Sequence, residues 1–103
     1  MNIRHCIVFN SNQEIKRRTS GAYRFANQLE SMGWRVTVVD WAADWPEEDL
    51  RRYLDAIVSD DTVLFAISYT WMKPWWAQRF VEQLKEAYPG RKYMAGGQQF
   101  FQH

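Results

Sequence analysis

A chain of 103 residues with 13 basic and 12 acidic side chains has room for one domain, and its formal charge of +1 excludes a general nucleic-acid surface or a sink for acidic substrates. Six Trp, six Phe and five Tyr make it rich in aromatic rings, which bury large areas and favour sites with one wet edge. A single cysteine, Cys6, allows neither a disulfide framework nor a Cys-x-x-Cys metal pair.

The opening residues, Met1 to Arg4, contain no apolar signal region, and no apolar run approaches the length of a membrane span. The expectation is a cytoplasmic chain with no membrane partner and with Cys6 reduced and buried.

Short apolar runs alternate with segments of helical period. Residues 5–9 read as the first strand. Residues 20–32 read as the first helix, with Ala22, Phe25, Ala26 and Leu29 on one face, Thr19 or Ser20 as its cap and Gly33 as its stop. Residues 34–39 form the second strand. The second helix opens at Asp44-Trp45-Pro46-Glu47, where Asp44 and Glu47 have capping-box spacing; Leu50, Tyr53, Leu54 and Ile57 make its apolar stripe.

Residues 62–67 are a third strand, apolar on both faces and therefore expected to be covered on both. Residues 74–88 form a third helix with Trp76, Ala77, Phe80, Leu84 and Ala87 facing inward, ended by Pro89 and Gly90. Residues 92–95 are a fourth strand that runs into Gly96 and Gly97. Strands and helices in this alternation demand right-handed crossovers and a parallel sheet. The expected architecture is α/β, doubly wound and flavodoxin-like, with strand order 2-1-3-4 and no fifth strand. The first helix lies on one face and the other two on the opposite face. Ligands of such sheets sit beyond the carboxyl ends of the strands, where the winding reverses. Here that point lies between the first and third strands.

Three segments meet there. The loop after the first strand, residues 10–20, carries Lys16, Arg17 and Arg18 and reaches a helix N-terminus with Thr19 and Ser20. It reads either as a seat for a phosphate-bearing ligand or as a solvated loop with an ordinary cap; it has neither a Walker nor a Gly-x-Gly-x-x-Gly pattern. Ser68, Tyr69 and Thr70 follow the third strand, where hydroxyls can meet a ligand rim or simply satisfy a turn. Trp71, Trp75 and Trp76 come next and either stack on a flat ligand or cover the helix. Gly96 and Gly97 permit a close backbone approach or a tight turn. The candidate ligand-binding residues are Thr19, Ser20, Ser68, Thr70, Gly96 and Gly97. No catalytic or metal-binding residue is assigned.

In order along the chain, these parts are the long loop after an apolar strand, Ser31-Met32-Gly33-Trp34 before the second strand, Asp40 at that strand's end, and Ile67-Ser68-Tyr69-Thr70. Leu84-Lys85-Glu86-Ala87-Tyr88-Pro89 and Ala95-Gly96-Gly97-Gln98 complete the series. Taken together they resemble the cobalamin-binding-type N-terminal domain of radical S-adenosylmethionine proteins. The resemblance implies a non-catalytic ligand or docking domain over residues 1–103, either an N-terminal piece of a longer protein or a minimal stand-alone version. S-adenosylmethionine and an iron–sulfur cluster would belong to a downstream domain. The implied partner is the rest of a parent radical enzyme or a second copy of the chain. Families that ligate cobalt through histidine carry Asp-x-His-x-x-Gly after the first strand. This chain has Asn10 to Ile15 there, and its two histidines are His5 and His103. Any cobalamin is therefore expected without histidine ligation.

Two other readings stay open: a pure interaction module with an empty crevice, and a flavin-binding domain, for which Thr19-Ser20-Gly21 is a partial match. A phosphorylated receiver is set aside because Asn10, Ser11 and Ser68 stand where acidic residues are needed. With one helix on the first face, the third and fourth strands are expected to expose two or three large apolar side chains there, unless Phe100 and Phe101 fold back over them. Such a patch favours oligomers.

Overall fold

The computed structural model describes residues 3–10, 20–40, 42, 44–68 and 74–96. Its elements run β1 (His5–Asn10), α1 (Ser20–Ser31), β2 (Arg35–Asp40), α2 (Glu47–Ile57), β3 (Thr62–Ser68), α3 (Pro74–Ala87) and β4 (Lys92–Gly96). The four strands form one parallel sheet in the order β2-β1-β3-β4. This is the doubly wound, flavodoxin-like α/β architecture that the alternation of runs requires.

Strand alternation divides the core in two. On one face Ile7, Phe9, Val39, Phe65 and Ile67 pack with Leu50 and Leu54 of α2 and with Ala77, Phe80 and Leu84 of α3. Phe9 meets the edge of Phe80 at 4.8 Å between ring centroids, and Phe65 stacks with Tyr93 at 5.4 Å. On the other face Cys6, Val8, Leu64 and Ala66 pack with Leu29 of α1, flanked by Phe25, Trp34 and Met94. The winding reversal between β1 and β3 is thus a physical boundary, with α1 on one side and α2 and α3 on the other.

The expected open patch on β3 is not found. Leu64 and Ala66 are its apolar residues on the α1 face, and both are buried. The strand is apolar on both sides, but only Leu64 is large on this one, since Ala66 is small and Ser68 is polar. The proposed cover, Phe100 and Phe101, lies outside the described residues. Tyr53, expected in the stripe of α2, is 37% exposed and leans on Trp45 instead.

Two helix ends refine the sequence reading. At the end of α1, Trp34 N–H donates to Leu29 O and Gly33 N–H to Glu30 O, both at 3.0 Å, with Gly33 at φ 95°. This is the paired bonding of a Schellman stop. It uses Trp34 as part of the cap, which is why β2 begins one residue later than expected. At the start of α2, no Asp44–Glu47 capping box forms: Pro46 is the N-cap and no side chain caps it. Glu47, Glu48 and Asp49 in the first turn place negative charge at the positive end of the helix dipole instead.

Among the described residues no helix is long and apolar enough to cross a membrane.

Candidate functional site at the carboxyl edge of the sheet

Each strand runs one residue beyond its apolar stretch, so each ends on a polar or side-chain-free residue. β2 ends at Asp40, β1 at Asn10, β3 at Ser68 and β4 at Gly96. The four are register partners: Asp40 pairs with Asn10, Asn10 with Ser68, and Ser68 with Gly96. They form one continuous row across the carboxyl edge. By alternation each shares the face of Cys6, Val8, Val38, Leu64, Ala66 and Met94, which is the α1 face. The row therefore spans the point where the winding reverses.

Asp40 is the best-defined member. Tyr23, in the first turns of α1, donates its hydroxyl proton to Asp40 Oδ2. Asn10 Nδ2 donates to Asp40 Oδ1 at 3.3 Å. The carboxylate thus leans from the edge strand across the end of β1. Trp45 Nε1 donates to the Asp40 carbonyl at 3.0 Å, and Ala42 N–H to the Asn10 carbonyl at 2.9 Å. The connection after β2 is pinned to the strand ends, which fixes the backbone of the row. Asn10 and Ser68 are buried, whereas Asp40 is half-buried.

Of the expected ligand-binding residues, Ser68 and Gly96 are brought together as neighbours in this row. Ser20 begins α1 on the same face. Thr19, Thr70 and Gly97 lie outside the described residues, as do Trp71 and the side chains expected of Trp75 and Trp76. Sequence reasoning placed Asn10 at the start of the candidate loop but singled out none of Asn10, Asp40 and Tyr23 as a ligand-binding residue. The available signal was that Asn10 and Asp40 are the first polar residues after their apolar runs, which is where a parallel sheet presents its carboxyl edge. Tyr23 carried no such signal, because it lies beside the apolar stripe of α1 rather than on it.

His5 stands at the opposite, amino edge, five residues from Asn10 along β1, or about 16 Å of extended strand. Its Nδ1 lies 2.8 Å from Thr62 Oγ1 and its Nε2 2.8 Å from Thr37 Oγ1. It joins the three strands β2, β1 and β3 and is remote from the carboxyl-edge row. Cys6 is buried on the α1 face, and that burial pushes its thiol up to about 12. Among the described residues no group of three or more His, Cys, Asp or Glu is placed to hold a metal ion.

Compared with known proteins, the chain matches no family model, no curated protein and no solved structure.

Proposed function

We propose that the chain is a non-catalytic ligand-binding domain of the cobalamin-binding type that presents its ligand to a radical S-adenosylmethionine enzyme domain. The observation that carries the reading is the row Asp40, Asn10, Ser68, Gly96, set in register across the switch point of a doubly wound sheet. A corrin is broad and edged with amide groups. Gly96 offers backbone without a side chain, while Asn10, Ser68 and Asp40 offer neutral and anionic partners for amide hydrogens, so the donor set suits such a group. His5 is held at the other edge between two threonines, which favours binding without histidine ligation.

Bound cobalamin would supply group-transfer chemistry to the partner domain. The residues of this chain would bind and orient it. S-adenosylmethionine and an iron–sulfur cluster would be held by that partner, in the reduced cytoplasmic setting that the buried Cys6 thiol suits. The test is direct: mix the chain with hydroxocobalamin, methylcobalamin or flavin mononucleotide, and read the spectral shift and the colour retained through gel filtration. Retained cobalamin supports the reading. Retained flavin alone replaces it with a flavin carrier, and retention of none leaves an interaction module.

A further inference from the structure

Resting on that reading, we infer that Asp40 is the specificity-determining acceptor of the carboxyl-edge row and takes a neutral hydroxyl or amide N–H donor from the ligand. A carboxylate offers about four acceptor positions and no donor. Two are engaged by the Tyr23 hydroxyl and the Asn10 amide, both neutral donors. Among the described residues no ion pair involves Asp40; the ion pair there is Arg51–Asp55, on α2. With two neutral donors on it, the carboxylate has acceptor positions left for a ligand. It is half-buried and drawn over the end of β1 rather than released to solvent.

Two clamps keep it there. Tyr23 ties the carboxylate to α1, and Trp45 Nε1 holds the carbonyl of the same residue at 3.0 Å. An acceptor so fixed rewards a ligand that brings a hydrogen to it. It opposes a phosphate placed at this end of the row, because like charges would meet in a partly desolvated site. A ribose hydroxyl and an amide side chain share the required donor chemistry.

The experiment compares wild type, Asp40→Asn and Tyr23→Phe in titrations with methylcobalamin and with methylcobinamide, which keeps the amides but lacks the nucleotide ribose. Circular dichroism confirms that each variant is folded. Asp40→Asn keeps the shape and removes the charge, and it is expected to weaken methylcobalamin binding at least about tenfold. Tyr23→Phe keeps the charge and frees the carboxylate, so a smaller loss is expected. If the Asp40→Asn loss persists with methylcobinamide, the donor is an amide; if it disappears, the donor is the ribose. Wild type that binds methylcobalamin and Asp40→Asn that binds it equally well would overturn the role of Asp40 alone. Wild type that binds neither compound overturns the proposed function, and this role with it.

Discussion

His5 on β1 and Thr62 at the start of β3 are joined side chain to side chain at 2.8 Å, in a spot where His5 is 2% exposed. Burial holds the imidazole below its ordinary value of 6.5; the charge of Arg35 adds to that and the charge of Asp61 opposes it. The folded chain thus binds the His5 proton less readily than the unfolded chain. Its contribution to stability is complete above the unfolded value and is lost as pH falls through 6.5 toward the folded value. Melting midpoints measured between about pH 7.5 and about pH 5.5 should fall more steeply for wild type than for His5→Gln. Parallel slopes would show that the acid sensitivity lies elsewhere.

Thr62 serves two partners, because its Oγ1 also accepts the Ser59 N–H at 3.0 Å. Thr62→Val keeps the shape but strands one ring nitrogen and one amide. Leaving a buried polar group without a partner costs about 1–3 kcal/mol. Urea unfolding should show a loss in that range with an unchanged slope. Thr37→Val should cost less, because its bond to His5 is only partly buried.

Cys6 lies fully buried at 0% exposure, with its thiolate disfavoured by burial. A thiol reagent at neutral pH should leave the native chain unmodified over the time in which the urea-unfolded chain reacts completely. The native rate should follow global unfolding as urea is raised. Rapid labelling without denaturant would contradict the packing of the α1 face.

Gly33 sits at φ 95° with nothing within 4 Å of where a Cβ would stand. Backbone conformation, not crowding, calls for glycine there. Gly33→Ala should destabilise by about 1–2 kcal/mol, the usual cost of holding an L-residue in the left-handed region. Gly33→Asn should recover part of that loss, since asparagine tolerates the conformation better than alanine.

The parallel order was readable because β1, β3 and the helical stripes obey their periods over whole elements. Ile7, Phe9, Phe65 and Ile67 alternate cleanly with Cys6, Val8, Leu64 and Ala66. What was not readable was contact between elements. Nothing in the spacing of Tyr23 and Asp40 shows that they meet, because that depends on how α1 is rotated over β2. The expected strand bounds stop one residue short because hydrophobicity ends at Phe9, Val39 and Ile67, although pairing continues one residue further. The capping box at Asp44 failed because Pro46 already supplies the N-cap geometry, with φ −56° and ψ 137°.

Arg91 closes the amino edge near His5 and Thr62. Its Nε donates to the Thr62 carbonyl at 3.0 Å, Nη2 to the Ser59 carbonyl at 3.1 Å and Nη1 to the Pro89 carbonyl at 3.1 Å. One planar fork therefore joins the turn before β3 to the turn before β4. A lysine has three hydrogens on one nitrogen and cannot reach three separated carbonyls, so the charge alone does not substitute for the fork. Arg91→Lys should lower stability by about 1–2 kcal/mol. Amide exchange should localise the effect: Lys92–Gly96 of the edge strand β4 should exchange faster, while His5–Asn10 at the centre of the sheet follow only the global change. Equal acceleration in both strands would mean that Arg91 supports the whole domain rather than the docking of β4.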